Sequence, residues 1–263
     1  MNEEPAAAFE AALTTRALGR PLRFYPFAVT AEALALAWAR QENGPEGATV
    51  VADQELSPRQ RKGPSWTPFP SLGLYFSIVL RPGLPPEGEG LLWLLASLGV
   101  AEGLGKATGL ETRVKWPDDI LVGGRKIGGM KIEAQLGPGE IASAVVTGRL
   151  NINVPEDSFP DAIRDRSTSV LMETGSEMAL PEALNAVLGG IEERYESDDV
   201  SRMMQAYLER CETIGKRVKA LLLPKGEVAG VATGVDPFGS LQIQVGGRTV
   251  PVVIDTLKKL EQA

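Results

Sequence analysis

The stretch RVKWPDDILVGGRKIGGMKIE (113–133) gathers the residues of this chain best suited to chemistry. Lys115 and Lys126 are compact cations eleven positions apart, and Asp118 and Asp119 are adjacent carboxylates. The pair Gly128-Gly129 lets a ligand approach the backbone closely. Upstream, the Pro- and Gly-containing loop ELSPRQRKGPSWTPFPSLG adds Arg59, Arg61 and Lys62. A long loop of this kind inside a domain tends to be functional. Together these residues suggest an anionic substrate held by lysine and arginine, with no protein nucleophile. The plainer alternative is a hairpin in which Lys115 and Asp119 are hydrated, Trp116 packs and Pro117 ends a strand.

Composition narrows the chemistry. The chain has no histidine, which removes Ser-His-Asp triads, Cys-His pairs and histidine metal sites. Its single cysteine, Cys211, excludes an internal disulfide and reads as a buried thiol in a reducing compartment. The net charge of −7 argues against non-specific nucleic-acid binding. GLGKAT (103–108) resembles part of a phosphate-binding loop, but no glycine stands five before Gly105 and Ala107 replaces the Ser or Thr. No apolar run approaches the ~18 residues of a membrane span, and the acidic N-terminus has no basic n-region. A cytoplasmic protein with no membrane partner is expected.

The elements that must position these residues can be read in order. Residues 1–22 are expected to be a loose leader with a short helix. Thr30 opens a helical run over AEALALAWARQ, either as a plain N-cap or with a ligand contact as well. ATVVAD (48–53) and LYFSIVL (74–80) read as buried strands, and Gly90–Thr108 as a buried helix. TRVKW, DILVG, RKIGGMKIEAQL and EIASAVVTGRLNINV read as successive strands, with Gly123-Gly124 as a hairpin turn. Two or more helices follow, with ESDDV (196–200) as a solvated loop or helix start. After Gly215 short strands with turns between them suggest a small β-barrel, with a tight turn at Asp236 to Gly239.

KWPDDILVGGRKIGG resembles the KWPND…K…G signature of bacterial biotin protein ligases. ATVVADQELSPRQRKGPSWTPFPSLGLYFSIVLRP resembles their stretch with a GRGRxGR loop, a tryptophan and an NLYxS strand. TGRLNINV is similar to their GxGxNxN strand, and the tail from Gly215 to their SH3-like domain. The resemblance implies an α/β (α+β), class II synthetase-like catalytic domain over residues 23–213. Its sheet would be mixed and mostly antiparallel with flanking helices, and a small SH3-like β-barrel would cover 214–263. It implies synthesis of biotinyl-5′-AMP from biotin and ATP with Mg2+. Biotin would then pass to a lysine of a carboxylase carrier domain, and a homodimer through the sheet is compatible with the family.

By the same resemblance, Lys126 stands beside the acid's carboxylate and the α-phosphate, with Arg61 and Lys115 as further catalytic cations. Arg59 and Arg61 belong to the loop over the adenylate, and Trp66 closes on the adenine. Lys115, Asn151, Asp119 and Asp118 lie near ATP and the metal. Gly129, Thr30, Glu55 and Thr147 line the acid pocket. Some family members carry a DNA-binding winged helix; the roughly 22 residues before the matched region are too few for one, so no DNA partner is expected.

The departures cluster. Pro58 and Pro64 stiffen the loop. Val29-Thr30-Ala31 replaces Ser-Thr-Asn, and Glu55 takes the place of a ring-reading glutamine. An ionised Glu55 can accept a ring N–H but cannot donate. Asp118 is an extra acid, either a metal ligand or a solvated charge. Thr147 and Arg149 replace glycines, so a side chain would fill space where the family holds ligand. Two expectations follow: a biotin ligase with a rebuilt pocket, or a relative that adenylates or only binds another small acid or a nucleotide.

Overall fold

The computed structural model describes residues 3–57, 66–197 and 199–262. A seven-stranded sheet is built from β1 (Leu22–Ala28), β2 (Thr49–Glu55), β3 (Gly73–Leu80), β4 (Thr112–Lys115), β5 (Asp119–Val122), β6 (Arg125–Leu136) and β7 (Ile141–Asn151). The strand order is β1-β2-β3-β7-β6-β5-β4, with β1 and β2 parallel and every other pair antiparallel.

The helices are α1 (Glu3–Ala12), α2 (Ala31–Gln41), α3 (Glu89–Thr108), α4 (Asp161–Arg164), α5 (Val170–Thr174), α6 (Leu180–Tyr195) and α7 (Val200–Arg210). Side chains alternate across a strand. Phe76, Ile78, Val146 and Leu150 therefore join α3 and α6 in the main core, while Val79 and Val145 face α2 with Ala35 and Trp38. Strands β3 and β7 are buried on both faces, which is why they read as near-continuous apolar runs.

Helix α3 is apolar and long enough to cross a membrane, yet 67% of that window is buried. The GLGKAT run lies at its end, and its glycines serve packing. A Cβ on Gly99 would come within 2.6 Å of Ile191 Cα, and one on Gly103 would strike the Ala186 carbonyl.

Residues 3–22 are not a loose leader. Phe9, Leu13, Leu18 and Leu22 are buried in the main core, because α1 carries its apolar side onto β1 and α6. Glu192 on α6 anchors the turn that follows α1. Its carboxylate accepts the backbone N–H groups of Arg16 (2.9 Å), Ala17 (2.8 Å) and Leu18 (3.0 Å). Burial works to raise its pKa, but these three donors outweigh it and hold the carboxyl below its usual range. A depressed carboxyl adds stability above its unfolded pKa, near ~4.3, and loses it as pH falls through the folded value. Glu192→Gln is thus expected to cost about 2 kcal/mol at pH 7. The gap from wild type should close below pH ~4, as read by urea unfolding at both pH values.

The C-terminal sheet comprises β8 (Arg217–Leu222), β9 (Glu227–Val235), β10 (Leu241–Val245), β11 (Arg248–Val252) and β12 (Leu257–Gln262), in the order β11-β10-β9-β8-β12 and antiparallel throughout. Asp236 builds the expected tight turn, its Oδ1 accepting Phe238 N–H and Ser240 N–H at 2.9 Å, with Gly239 at φ 82°. That turn is also a joint: Trp116 Nε1 donates to the Gly239 carbonyl at 2.9 Å, and Gly239 packs on Gly90. Cys211 is buried as expected; burial pushes its thiol pKa up, and it bridges to Val114 at the β4 edge.

Candidate active site

Gly123 and Gly124, at φ 56° and 76°, form the predicted turn between β5 and β6 and bring Lys126 alongside Asp119. The Lys126 backbone is clamped on its other side. Its N–H donates to the Arg166 carbonyl at 2.8 Å, and its carbonyl accepts Thr168 N–H at 2.9 Å. The Lys126 ammonium pairs with the Asp119 carboxylate and lies 5.5 Å from the centroid of the Trp66 ring. Lys115, opposite Asp119 in register, stands 4.0 Å from the same carboxylate. Lys115 and Lys126 are balanced by Asp118 and Asp119, but Arg166, Lys216, Lys258 and Lys259 outnumber the other acids of the surrounding cleft, Glu212 and Glu261, which gives it the right sign for an anion.

Gly129 completes this arrangement. A Cβ there would lie 3.3 Å from Lys126 Cε and Nζ, so any side chain would crowd the ammonium. Asp118 holds Met130 N–H on its backbone carbonyl at 2.9 Å. Trp116 is buried at the centre of the run, its N–H held by Thr213 Oγ1 at 3.0 Å. The hairpin alternative holds in part, with Trp116 packed and the Lys115 side chain 40% exposed, but Asp119 is paired with Lys126 rather than merely hydrated.

These groups line a cleft of about 570 Å³ between the two sheets. Trp66, Lys115, Asp118, Asp119, Lys126 and Asn151 form one wall; Lys216 and residues 257–262 form the other. Asn151 gives its amide N–H to the Thr168 carbonyl at 3.0 Å, while its buried Oδ1 has no partner among the described residues. That leaves an acceptor ready for a ligand hydroxyl or a cation. No cluster of three or more acids, cysteines or histidines suited to a metal occurs among the described residues. Arg166, Ser167, Lys258 and Lys259 also line the cleft, and sequence reasoning missed them. The only sequence signal of Arg166, Lys258 and Lys259 was charge, and Ser167 gave none. Arg59 and Arg61 lie outside the described residues.

The other expected residues sit elsewhere, on the α2 face of the sheet. Thr30 caps α2, its Oγ1 accepting Ala33 N–H at 3.0 Å. Gly129, Arg149, Tyr75 and Ala52 form one registered row across β6, β7, β3 and β2. Arg149 crosses to Glu55, with Nε 2.6 Å from Oε2 and a terminal nitrogen 3.3 Å from Oε1. Glu55 Oε1 also accepts Ala31 N–H at 2.8 Å. The pair is buried, at 4% and 1% exposure. Beside it, the Thr147 and Ser77 hydroxyls bond at 2.8 Å, and Lys131 pairs with Glu32. Tyr75, also in the row, has its phenol pushed up to about 12, by burial above all. Thr30, Glu55, Thr147 and Arg149 do not line the cleft.

Residues 29–151 match the Biotin/lipoate A/B protein ligase family, and residues 213–254 match the Biotin protein ligase C terminal domain. The chain is 31% identical over 208 residues to the bifunctional ligase/repressor BirA of Bacillus spizizenii, covering 77% of this chain and 63% of that protein. It is 28% identical over 220 residues to the biotin–[acetyl-CoA-carboxylase] ligase of Mycobacterium tuberculosis, covering 79% of this chain and 77% of that one. A biotin protein ligase from Aquifex aeolicus, solved in complex with biotin and ATP, superposes with a TM-score of 0.73 at 25% identity, covering 92% of this chain and 99% of the other.

Proposed function

Since the chain belongs to the biotin/lipoate A/B protein ligase family, we propose that it activates a carboxylic acid with ATP and passes the acyl group to a lysine of a carrier domain. Biotin is the acid and a carboxylase carrier domain the partner that the relatives point to. The single observation that carries this reading is Lys126, its backbone clamped on both sides at the wall of a net-positive cleft of about 570 Å³.

The chemistry suits a chain without histidine. A carboxylate is already ionised at neutral pH and needs no general base. Its oxygen attacks the α-phosphorus, the bond to the β-phosphate oxygen breaks, and pyrophosphate leaves. Repulsion between the two anions is the main obstacle, and Lys126 and Lys115 lower it by standing where negative charge gathers. The carrier amine then attacks the acyl carbon, forming the amide and releasing AMP and a proton. Holding the reactants in place supplies much of the rate in both steps.

In this reading Trp66 and Asn151 hold the nucleotide, and Lys216, Lys258 and Lys259 face its phosphates. With Asp119 shared by two lysines, Mg2+ would be held mainly by the nucleotide's own phosphates, with Asn151 Oδ1 and Asp118 as protein oxygens of the same cleft that could join them. The ion would offset phosphate charge.

A second reading, that the acid is not biotin, is favoured by the buried Glu55–Arg149 pair at the positions the resemblance gives to ring recognition. ATP–pyrophosphate exchange with biotin, with lipoate or octanoate, and with no acid tests both. Exchange that needs biotin supports the first reading. Exchange with another acid only supports the second. No exchange with any acid by folded protein ends the ligase reading.

A further inference from the structure

The registered row Gly129–Arg149–Tyr75–Ala52 is the track along which an acid with its carboxylate at Lys126 would extend over the sheet. Neighbouring strands lie about 4.8 Å apart, so the row is roughly 14 Å long. At its first position Gly129 carries no side chain, and the Lys126 ammonium stands 3.3 Å from where a Cβ would be. The row's second position is Arg149. Together, Arg149 and Glu55 bridge β7 to β2 over the intervening β3, and both are buried.

This leaves roughly one strand spacing, about 4.8 Å, between Gly129 and the start of the obstruction. Clearing the track would strand a buried carboxylate without its guanidinium, which proteins strongly resist. Glu55 is further fixed by Ala31 N–H at the start of α2, so the pair is braced from a second element. The adjoining row is also closed, by the Thr147–Ser77 hydroxyl pair and the Lys131–Glu32 ion pair.

We infer that Arg149, pinned by Glu55, is the specificity-determining residue of the acid site, and that the preferred substrate is a short monocarboxylic acid of a few carbons, too small to reach the pair. This rests on the ligase reading and makes its second form specific.

The test is ATP–pyrophosphate exchange with acetate, butyrate, octanoate and biotin. It compares wild type, Arg149→Ala, the double variant Glu55→Gln/Arg149→Gly, and Lys126→Ala. Wild type should use acetate or butyrate with kcat/KM at least about 100-fold above that for biotin. The double variant should gain at least about tenfold on octanoate or biotin, chiefly through KM, since the change opens space rather than altering the reacting atoms. All exchange should need Lys126.

Wild-type preference for biotin or octanoate would overturn the inference and leave the ligase reading standing. No exchange with any acid by folded wild type would remove both. Circular dichroism reports whether each variant folds. If the double variant does not, the acid-length profile of wild type decides.

Discussion

Lys126→Ala should lower ATP–pyrophosphate exchange by about 10³-fold with the fold intact. Removing one preorganised electrostatic partner of a developing charge costs roughly 3–4 kcal/mol of activation free energy. The substitution is clean, because the ties of residue 126 to residues 166–168 run through its backbone N–H and carbonyl. Asp119 keeps Lys115 as a neighbour at 4.0 Å, so no carboxylate is left alone. Lys126→Arg is not expected to restore the rate. A guanidinium is planar and spreads its charge, whereas the lysine presents a compact point charge beside Asp119. The loss should appear in kcat and kcat/KM together if the lysine acts on the transition state. A KM change alone would reduce it to a binding residue.

Arg149→Met should produce the largest change in stability. It leaves the buried Glu55 carboxyl without its guanidinium, with the Ala31 N–H still donating to it. Breaking one side of such a pair costs about 3–5 kcal/mol, or roughly 10 °C in melting temperature for a chain of this size. Replacing both partners, in Glu55→Gln/Arg149→Met, should cost clearly less than the sum of the singles, since neither charge is then stranded. A thermal melt of the four proteins measures the cycle. Additive costs would mean that the pair carries no coupling.

Much of the site was legible because its parts are local. The Gly123-Gly124 turn, the Lys-Trp-Pro run and Lys126 all lie within one stretch of the chain, and the turn alone sets their register. The Glu55–Arg149 pair was not legible, although both residues stood out as departures. They lie 94 positions apart, and only the neighbouring of β2, β3 and β7 brings them together. Ser167 was missed for the same reason: it meets Lys126 through an isolated bridge that follows no periodic pattern.

Strand β1 was not anticipated because Pro26 interrupts LRFYPFA. As an edge strand it tolerates that residue, and the pairing with β2 passes over it. Strand β12 escaped because Leu257 and Leu260 are spaced as in a helix; an irregularity between Leu257 and Lys259 restores the strand register.

The bond from Trp116 to the Gly239 carbonyl has a thermodynamic consequence. Trp116 is flanked by Lys115 and Pro117 in the run that ends at Asp119, and Gly239 belongs to the C-terminal sheet, whose β12 forms the far wall of the cleft. Docking of that sheet and occupancy of the cleft are therefore linked equilibria. By reciprocity, whatever factor nucleotide binding adds to the docked state, docking adds to nucleotide affinity. In the ligase reading, loosening the joint at Gly90 or Gly239 would weaken nucleotide binding without altering any residue that lines the cleft.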